Sequence, residues 1–206
     1  AIVNTISKER ITYTDFVPSV FNLLVESFDQ NPEIINKISS LRQLQIGGEA
    51  ISPYHAYKFK NLFKNTSITN IYGPTETSIG TIFYELPEKP IETIPIGNPI
   101  DNVIAVVLDK NKKLRPIGMS GELYLGGICV GLGYLNNPER TNDVFIPINE
   151  EELNGEIFYR TGDMARVLPD GNIEFLGRLD SQLKIRGLRI ELAEIENRIL
   201  KHGRIK

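Results

Sequence analysis

Seven consecutive residues, Asn70-Ile71-Tyr72-Gly73-Pro74-Thr75-Glu76, place a phenol ring, a hydroxyl and a carboxylate on one tight turn. These groups complement the parts of a metal-bearing nucleotide. Tyr72 can stack on a base, Thr75 can bond a phosphate oxygen, and Glu76 can bind Mg²⁺ through the oxygen ligands that this hard cation prefers. Ser67 to Tyr72 alternates polar and apolar residues with the period of a strand. Gly73-Pro74 must end that strand, because Pro74 has no backbone N–H and restricts the residue before it. The side chains that follow project from a strand end, which in an open α/β sheet is where ligands collect. The same residues also fit an ordinary surface turn, since Gly-Pro turns are common.

The residues upstream supply the elements that would position such a turn. Ile11 to Phe16 alternates like a strand, Pro18-Ser19 opens an apolar helix over Val20 to Phe28, and a short helical stretch follows near Pro32 to Ile38. Leu41 to Ile46 reads as a strand running into Gly47-Gly48-Glu49, where two glycines let a ligand approach the backbone. Ser52 is an N-cap with Pro53 at the first helical position, and Ala56, Phe59 and Phe63 then share one helical face with Leu62 beside them. Strands and helices in this alternation make βαβ units, which favour a parallel sheet with right-handed crossovers. The ligand edge then gathers Asp15, Gly47 to Glu49 and Tyr72 to Glu76. The fold class expected is α/β, and the start at Ala1, without an initiator methionine, is expected to lie inside a larger fold.

From about Gly97 the texture changes. Val103 to Leu108, Gly121 to Leu125, Ile157 to Arg160, Ala165 to Leu168 and Ile173 to Leu176 are short and apolar, separated by Gly, Pro, Asn and Asp. That spacing predicts an antiparallel β subdomain or small barrel. Asp109-Lys110-Asn111-Lys112-Lys113 lies between apolar strands and reads as a solvated hairpin tip. Pro169-Asp170-Gly171-Asn172 is a turn joining two strands whose pairing sets Asp163 and Arg178 at their outer ends. Leu183 to Arg189 then alternates, and Glu191 to His202 carries Leu192, Ile195 and Ile199 on one helical face. One hairpin and one helix are too little for a core. The expected units are therefore residues 1–96, 97–179 and 180–206, the last being the start of a further domain cut at Lys206.

Composition excludes several function classes. With 41% hydrophobic and 24% charged residues in 206, the chain is an ordinary globular one, and 23 basic against 26 acidic side chains give a net charge of -3. Nothing there calls for nucleic acid or an anionic membrane as partner. Val103 to Leu108 is the longest apolar stretch, far too short to span a bilayer, and the N-terminus has no basic region followed by a hydrophobic signal core. A cytoplasmic protein is expected. Cys129 is the single cysteine, and His55 and His202 stand far apart, so no disulfide framework, zinc site or Cys-His pair is indicated. Cys129 itself reads as a small buried hydrophobe.

Four motifs occur in order: Asn70 to Glu76, Gly121-Glu122-Leu123-Tyr124-Leu125-Gly126-Gly127, Tyr159-Arg160-Thr161-Gly162-Asp163, and GRLDSQLKIRGLRIELAEIE from Gly177 to Glu196. Over essentially its whole length the chain resembles the adenylation domains of nonribosomal peptide synthetases, within the adenylate-forming enzymes. The resemblance implies a large N-terminal part ending in a β subdomain, a hinge, and a small C-terminal domain, with the active site between them. It implies ATP and Mg²⁺: Tyr72 against adenine, Asn70 with Gly48, Glu49 and Gly73 bordering it, Thr75 at the α-phosphate, Glu76 on the metal, Asp163 on both ribose hydroxyls, and Arg178 on the ribose-phosphate side. Thr75, Glu76 and Arg178 are the implied catalytic residues. Asp163 and Asp180 each also fit a turn-capping aspartate, and Arg178 a surface ion pair. Asp180 falls at the hinge, and Lys184 to Arg189 on the loop that faces the active site in the second half-reaction.

The reaction implied is activation of an amino acid as its adenylate and transfer to the phosphopantetheine thiol of a carrier protein, beside neighbouring synthetase domains. The family's Gly/Ser/Thr-rich loop ending in lysine, its upstream aspartate and its far C-terminal lysine have no counterpart here, so the isolated chain is expected to be inactive. Ala193 stands where glycine is common, and Leu132 where arginine is common. The implied side-chain pocket comprises Asp15, Gln45, Gly47, Ile71, Ile79 and Gly80. A buried carboxylate there would ask for a donor or cation, such as glutamine, lysine or arginine, unless Asp15 instead bonds backbone near Pro18. An acyl-CoA or D-alanyl carrier ligase shares this chemistry, and a non-catalytic nucleotide-binding module is the alternative from another class.

Overall fold

The computed structural model describes residues 1–149, 153, 155–180, 182–185 and 188–201. Helix α1 (Ile2–Glu9) leads into β1 (Tyr13–Phe16), followed by α2 (Pro18–Gln30), α3 (Glu33–Lys37), β2 (Gln43–Gly47), α4 (Pro53–Leu62) and β3 (Ser67–Tyr72). β1, β2 and β3 pair in parallel, as strand-helix-strand crossovers require. Helix α1 has no counterpart among the expected elements; Ile6 is its buried residue, and Val3, half-buried, packs on the same core.

Past Tyr72 a 3₁₀ turn, Thr75–Thr77, reverses the chain. β4 (Ile82–Glu85) then runs antiparallel to β3, and β5 (Asn98–Pro99) antiparallel to β4. The sheet is therefore mixed, where the repeat of strand and helix leads to an expectation of parallel pairing. The few residues between the turn and β4 are too short for a crossover, which takes a dozen or more.

Period-two alternation buries one face of this sheet. Phe16, Leu44, Ile46 and Ile68 pack on Phe21, Val25 and Phe28 of α2 and on Ala56 and Phe59 of α4. Phe59 stacks on Phe63 with ring centroids 4.3 Å apart. Helix α4 starts where expected: Ser52 caps it, its hydroxyl accepting from the His55 N–H at 3.5 Å, and Pro53 takes the first turn, where a missing N–H costs nothing.

The second sheet has strand order β10-β9-β7-β6, with β8 paired to β9. Its strands are β6 (Val103–Leu108), β7 (Gly121–Gly127), β8 (Phe145–Pro147), β9 (Ile157–Val167) and β10 (Ile173–Arg178), with α5 (Pro138–Val144) before β8. All pairings are antiparallel. β9 is one strand where two are expected. Between the pairs Glu122↔Met164 and Tyr124↔Arg160, β7 advances two residues and β9 four, so Thr161, Gly162 and Asp163 sit on a bulge. Bulges re-aim side chains and recur beside active sites. The glycine in this bulge breaks the apolar pattern in sequence, but the strand continues through it.

A core of Tyr72, Ile82, Ile96, Leu123, Leu125 and Ile173 joins the two sheets. The Ile96 N–H donates to the Ile173 carbonyl at 2.9 Å, and Gly97 bridges Ile173. β11 (Gln182–Ile185) and β12 (Leu188–Glu191) form the expected hairpin, and α6 (Leu192–Leu200) follows. Arg186 and Gly187 of the expected active-site loop, together with His202 and Lys206, lie outside the described residues. Cys129 is buried, as expected.

Candidate nucleotide-binding cleft

A cavity of about 600 Å³ lies between the C-terminal ends of β2 and β3 and the β9–β10 pair. Its size is ordinary for a small-molecule site. Gly48 and Glu49 line it from the end of β2, Asn70, Tyr72 and Gly73 from β3, and Asp163, Arg178 and Asp180 from the second sheet and its exit. Ile94, Ile96 and Phe175 add apolar wall. The segment 92–96 carries no signal in the sequence. It is placed by Asn70, whose side-chain amide donates to the Pro95 carbonyl at 2.8 Å.

The Tyr72 hydroxyl donates to Asp163 Oδ2 at 2.5 Å, across 91 positions of chain. Both groups are buried, Tyr72 at 8% and Asp163 at 4% exposure. Arg178 forms an ion pair with the other carboxylate oxygen of Asp163. The rest of the Arg178 fork grips Asp180, with Nε and a terminal nitrogen each 2.7 Å from one of its oxygens. Such planar, two-point pairing is the geometry guanidinium favours. The Thr161 hydroxyl donates to the Leu123 carbonyl at 2.7 Å and accepts from the Asp163 N–H at 3.0 Å, fixing the bulge. Burial pushes the Tyr72 phenol well above its usual pKa, and the Asp163 carboxylate adds to the shift, so Tyr72 remains a donor. Carboxylate oxygens can each accept more than one hydrogen bond, so this is a place where hydroxyls of a ligand can add to or replace protein donors.

Thr75 and Glu76 lie on the 3₁₀ turn beyond Gly73, outside the cavity wall. Gly73 has to be glycine, because a Cβ there would stand 1.9 Å from the Ile79 carbonyl oxygen. Thr75 is exposed and Glu76 half-buried. Glu76 Oε1 accepts from the Tyr134 hydroxyl at 2.5 Å, a contact 58 positions apart that local sequence patterns do not show. Burial raises the Tyr134 phenol above its usual range, and the bond to Glu76 adds to the rise. Among the described residues no group of three or more His, Cys, Asp or Glu could hold a metal. Magnesium needs none, since it is bound through one or two carboxylates together with substrate phosphates. Glu76 with the adjacent Thr75 hydroxyl fits that mode.

Of the residues expected to form a side-chain pocket, Ile71 also lines this cavity, and Asp15, Gln45, Gly47, Ile79 and Gly80 do not. Asp15 is opposite Gln45 in register, and Gly47 opposite Ile71, all on the sheet face away from α2 and α4. Gly80 adjoins Ile71, since a Cβ there would meet Ile71 Cγ2 at 3.1 Å. Ile79 is exposed. The Tyr13 hydroxyl donates to Gln45 Oε1 at 2.5 Å, while Asp15, expected as a buried carboxylate, is exposed, because its strand β1 is the edge of the sheet and nothing among the described residues covers that side chain. Along β3, Asn70 and Tyr72 turn to one side of the sheet and Ile71 to the other.

Residues 1–135 match the family model of AMP-binding enzymes, and the chain belongs to that family. Within it, the chain is part of a nonribosomal peptide synthetase adenylation domain. It is 44% identical over 197 residues to tyrocidine synthase 3 of Brevibacillus parabrevis, covering 96% of this chain and 3% of that protein. It is 40% identical over 201 residues to bacitracin synthase 1 of Bacillus licheniformis, covering 97% of this chain and 4% of that one. The structure of holo-PA1221, an NRPS protein containing adenylation and PCP domains bound to a vinylsulfonamide inhibitor, superposes with a TM-score of 0.88 at 29% identity, over 98% of this chain and 35% of that one. The AMPPNP-bound form of the synthetase FmoA3 gives 0.79 at 31% identity, over 86% and 19%. The chain thus spans a few per cent of the curated relatives it matches. No helix among the described residues is long and apolar enough to cross a membrane.

Proposed function

We propose that this chain forms the adenosine-binding wall and metal-side turn of an enzyme that makes an aminoacyl adenylate from an amino acid and Mg·ATP. In that reaction a carboxylate oxygen attacks the α-phosphorus and pyrophosphate leaves; a carrier's phosphopantetheine thiolate then attacks the acyl carbon and AMP leaves. The observation that carries this reading is the meeting of Tyr72 and Asp163 in one cavity with Gly48, Glu49, Asn70 and Arg178. Tyr72 borders the base, Asp163 takes the ribose hydroxyls, and Arg178 brings a permanent positive charge to the phosphate side. Glu76 with Thr75 holds the magnesium ion, which when bound neutralises phosphate charge. The protein's own contribution is positioning and electrostatics, with no covalent nucleophile among these residues.

The amino-acid side chain lies on the other face of β3, against Asp15, Gln45, Gly47, Ile71, Ile79 and Gly80, where the negative charge of Asp15 complements a donor or cationic substrate such as glutamine, lysine or arginine. Residues 1–96, 97–179 and 180–206 act as three units with Asp180 at the hinge, in the cytoplasm where ATP is supplied. A carrier protein and neighbouring synthetase domains are the partners, a reading supported by the carrier domain in PA1221. The 206 residues alone bind nucleotide without turning it over. Calorimetric titration of the chain with AMP tests the cleft: saturable binding that Asp163→Ala abolishes is expected, and no binding by the unaltered chain refutes it. Pyrophosphate exchange by the 206-residue chain would refute its inactivity.

A further inference from the structure

We propose that Tyr134 is a positioning residue for the metal-binding carboxylate of Glu76, a role that rests on the reading of Glu76 given above. Glu76 sits on a short turn with an exposed neighbour, and a glutamate there has several rotamers to choose from. The Tyr134 hydroxyl removes that freedom by donating to Oε1 at 2.5 Å. A carboxylate held by such a donor is presented in a set direction. Losing a group that orients a metal ligand in this way typically costs about 10- to 100-fold in metal affinity.

The support behind Tyr134 is built in stages. Asn137 caps α5, its side-chain oxygen accepting from the Arg140 N–H at 3.0 Å. The first turn of that helix fixes Thr141, whose hydroxyl donates to the Asn137 carbonyl at 2.8 Å and accepts from the Tyr134 N–H at 2.9 Å. The Tyr134 ring meets Phe145 edge-on at 5.8 Å, and Phe145 in turn packs on Tyr159 of β9 at 5.2 Å. Two further contacts clamp the same loop to the turn: the Gly131 N–H donates to the Glu76 carbonyl at 2.8 Å, and the Ser78 hydroxyl to the Cys129 carbonyl at 3.2 Å. The loop before α5 therefore splints the turn that carries Glu76, and the second sheet holds the splint.

The test is the ATP affinity of the chain measured with magnesium and with EDTA, whose ratio is the metal enhancement. Tyr134→Phe keeps the ring and is expected to leave affinity in EDTA within about twofold while reducing the enhancement about tenfold. In a Glu76→Gln background the same substitution should change nothing. A wild-type chain with no enhancement refutes Glu76 as the metal ligand. An enhancement that survives Tyr134→Phe, or a loss equally large with Glu76→Gln, overturns the positioning role alone. Should Tyr134→Phe fail to fold by circular dichroism, Thr141→Val carries the test. It is expected to lower the enhancement by a smaller factor, and no change would overturn the proposal.

Discussion

Asp163 and Arg178 are directly opposite in the pairing of β9 with β10, and their side chains close an ion pair in the wall of the cleft. The relationship follows from local chemistry. The turn at Pro169 to Asn172 sets the register, and the bulges on both strands tilt the two residues toward Tyr72. The buried acid thereby receives a neutral donor from Tyr72 and a cationic one from Arg178 before any ligand arrives.

Removing the neutral donor should be costly. Tyr72→Phe takes one hydrogen bond from Asp163 in a buried site and is expected to destabilise the chain by about 1–3 kcal/mol in urea unfolding. It should also alter the alkaline limb. The folded pKa of Tyr72 lies above its unfolded value, so its stabilisation is complete below about pH 10 and is lost as pH rises from there toward the folded value. Tyr72→Phe should show a shallower fall above pH 10. Tyr124, pushed up to about 12 chiefly by burial and then by the Glu122 carboxylate, keeps part of the slope.

The ribose assignment predicts a pattern across ligands. Asp163→Asn should weaken AMP binding by about 1.5–3 kcal/mol, roughly 10- to 150-fold. AMP lacking either the 2′- or the 3′-hydroxyl should bind the unaltered chain less well than AMP. The loss caused by Asp163→Asn should shrink with those analogues, and competition titrations would show it.

Gly97 joins the two sheets at a positive φ of 101°, and a Cβ there would stand 1.9 Å from the Phe83 carbonyl oxygen. Gly97→Ala should cost at least about 2 kcal/mol, because both backbone strain and a main-chain clash must be relieved. The urea midpoint should fall with the slope unchanged.

Two hydrophobic positions should behave oppositely. Phe59 is fully buried between α2 and the first sheet, and Phe59→Ala should cost about 3–5 kcal/mol through the cavity it leaves. Leu132 is fully exposed, and Leu132→Arg should change stability by no more than about 0.5 kcal/mol. Thermal melts of the two variants check both.

The features legible in the sequence are those with local causes. Alternation over Ser67 to Tyr72 and the stop at Gly73-Pro74 deliver β3 and its end, and turn chemistry delivers the pairing that sets Asp163 against Arg178. The return of β4 escapes such a reading because a chain reversal in a few residues leaves the same apolar pattern in either direction. β9 divides in two on paper because the glycine of its bulge looks, in sequence, like a turn. The hold of Tyr134 on Glu76 and of Asn70 on Pro95 has no periodic signature at all, since neither partner's neighbours announce a contact so distant along the chain.

The alternation of Asn70, Ile71 and Tyr72 along β3 sends neighbouring side chains to opposite faces of one backbone. A substitution at position 71 therefore changes the face that Asp15, Gln45 and Gly47 share while leaving the contacts of Asn70 with Pro95 and of Tyr72 with Asp163 in place.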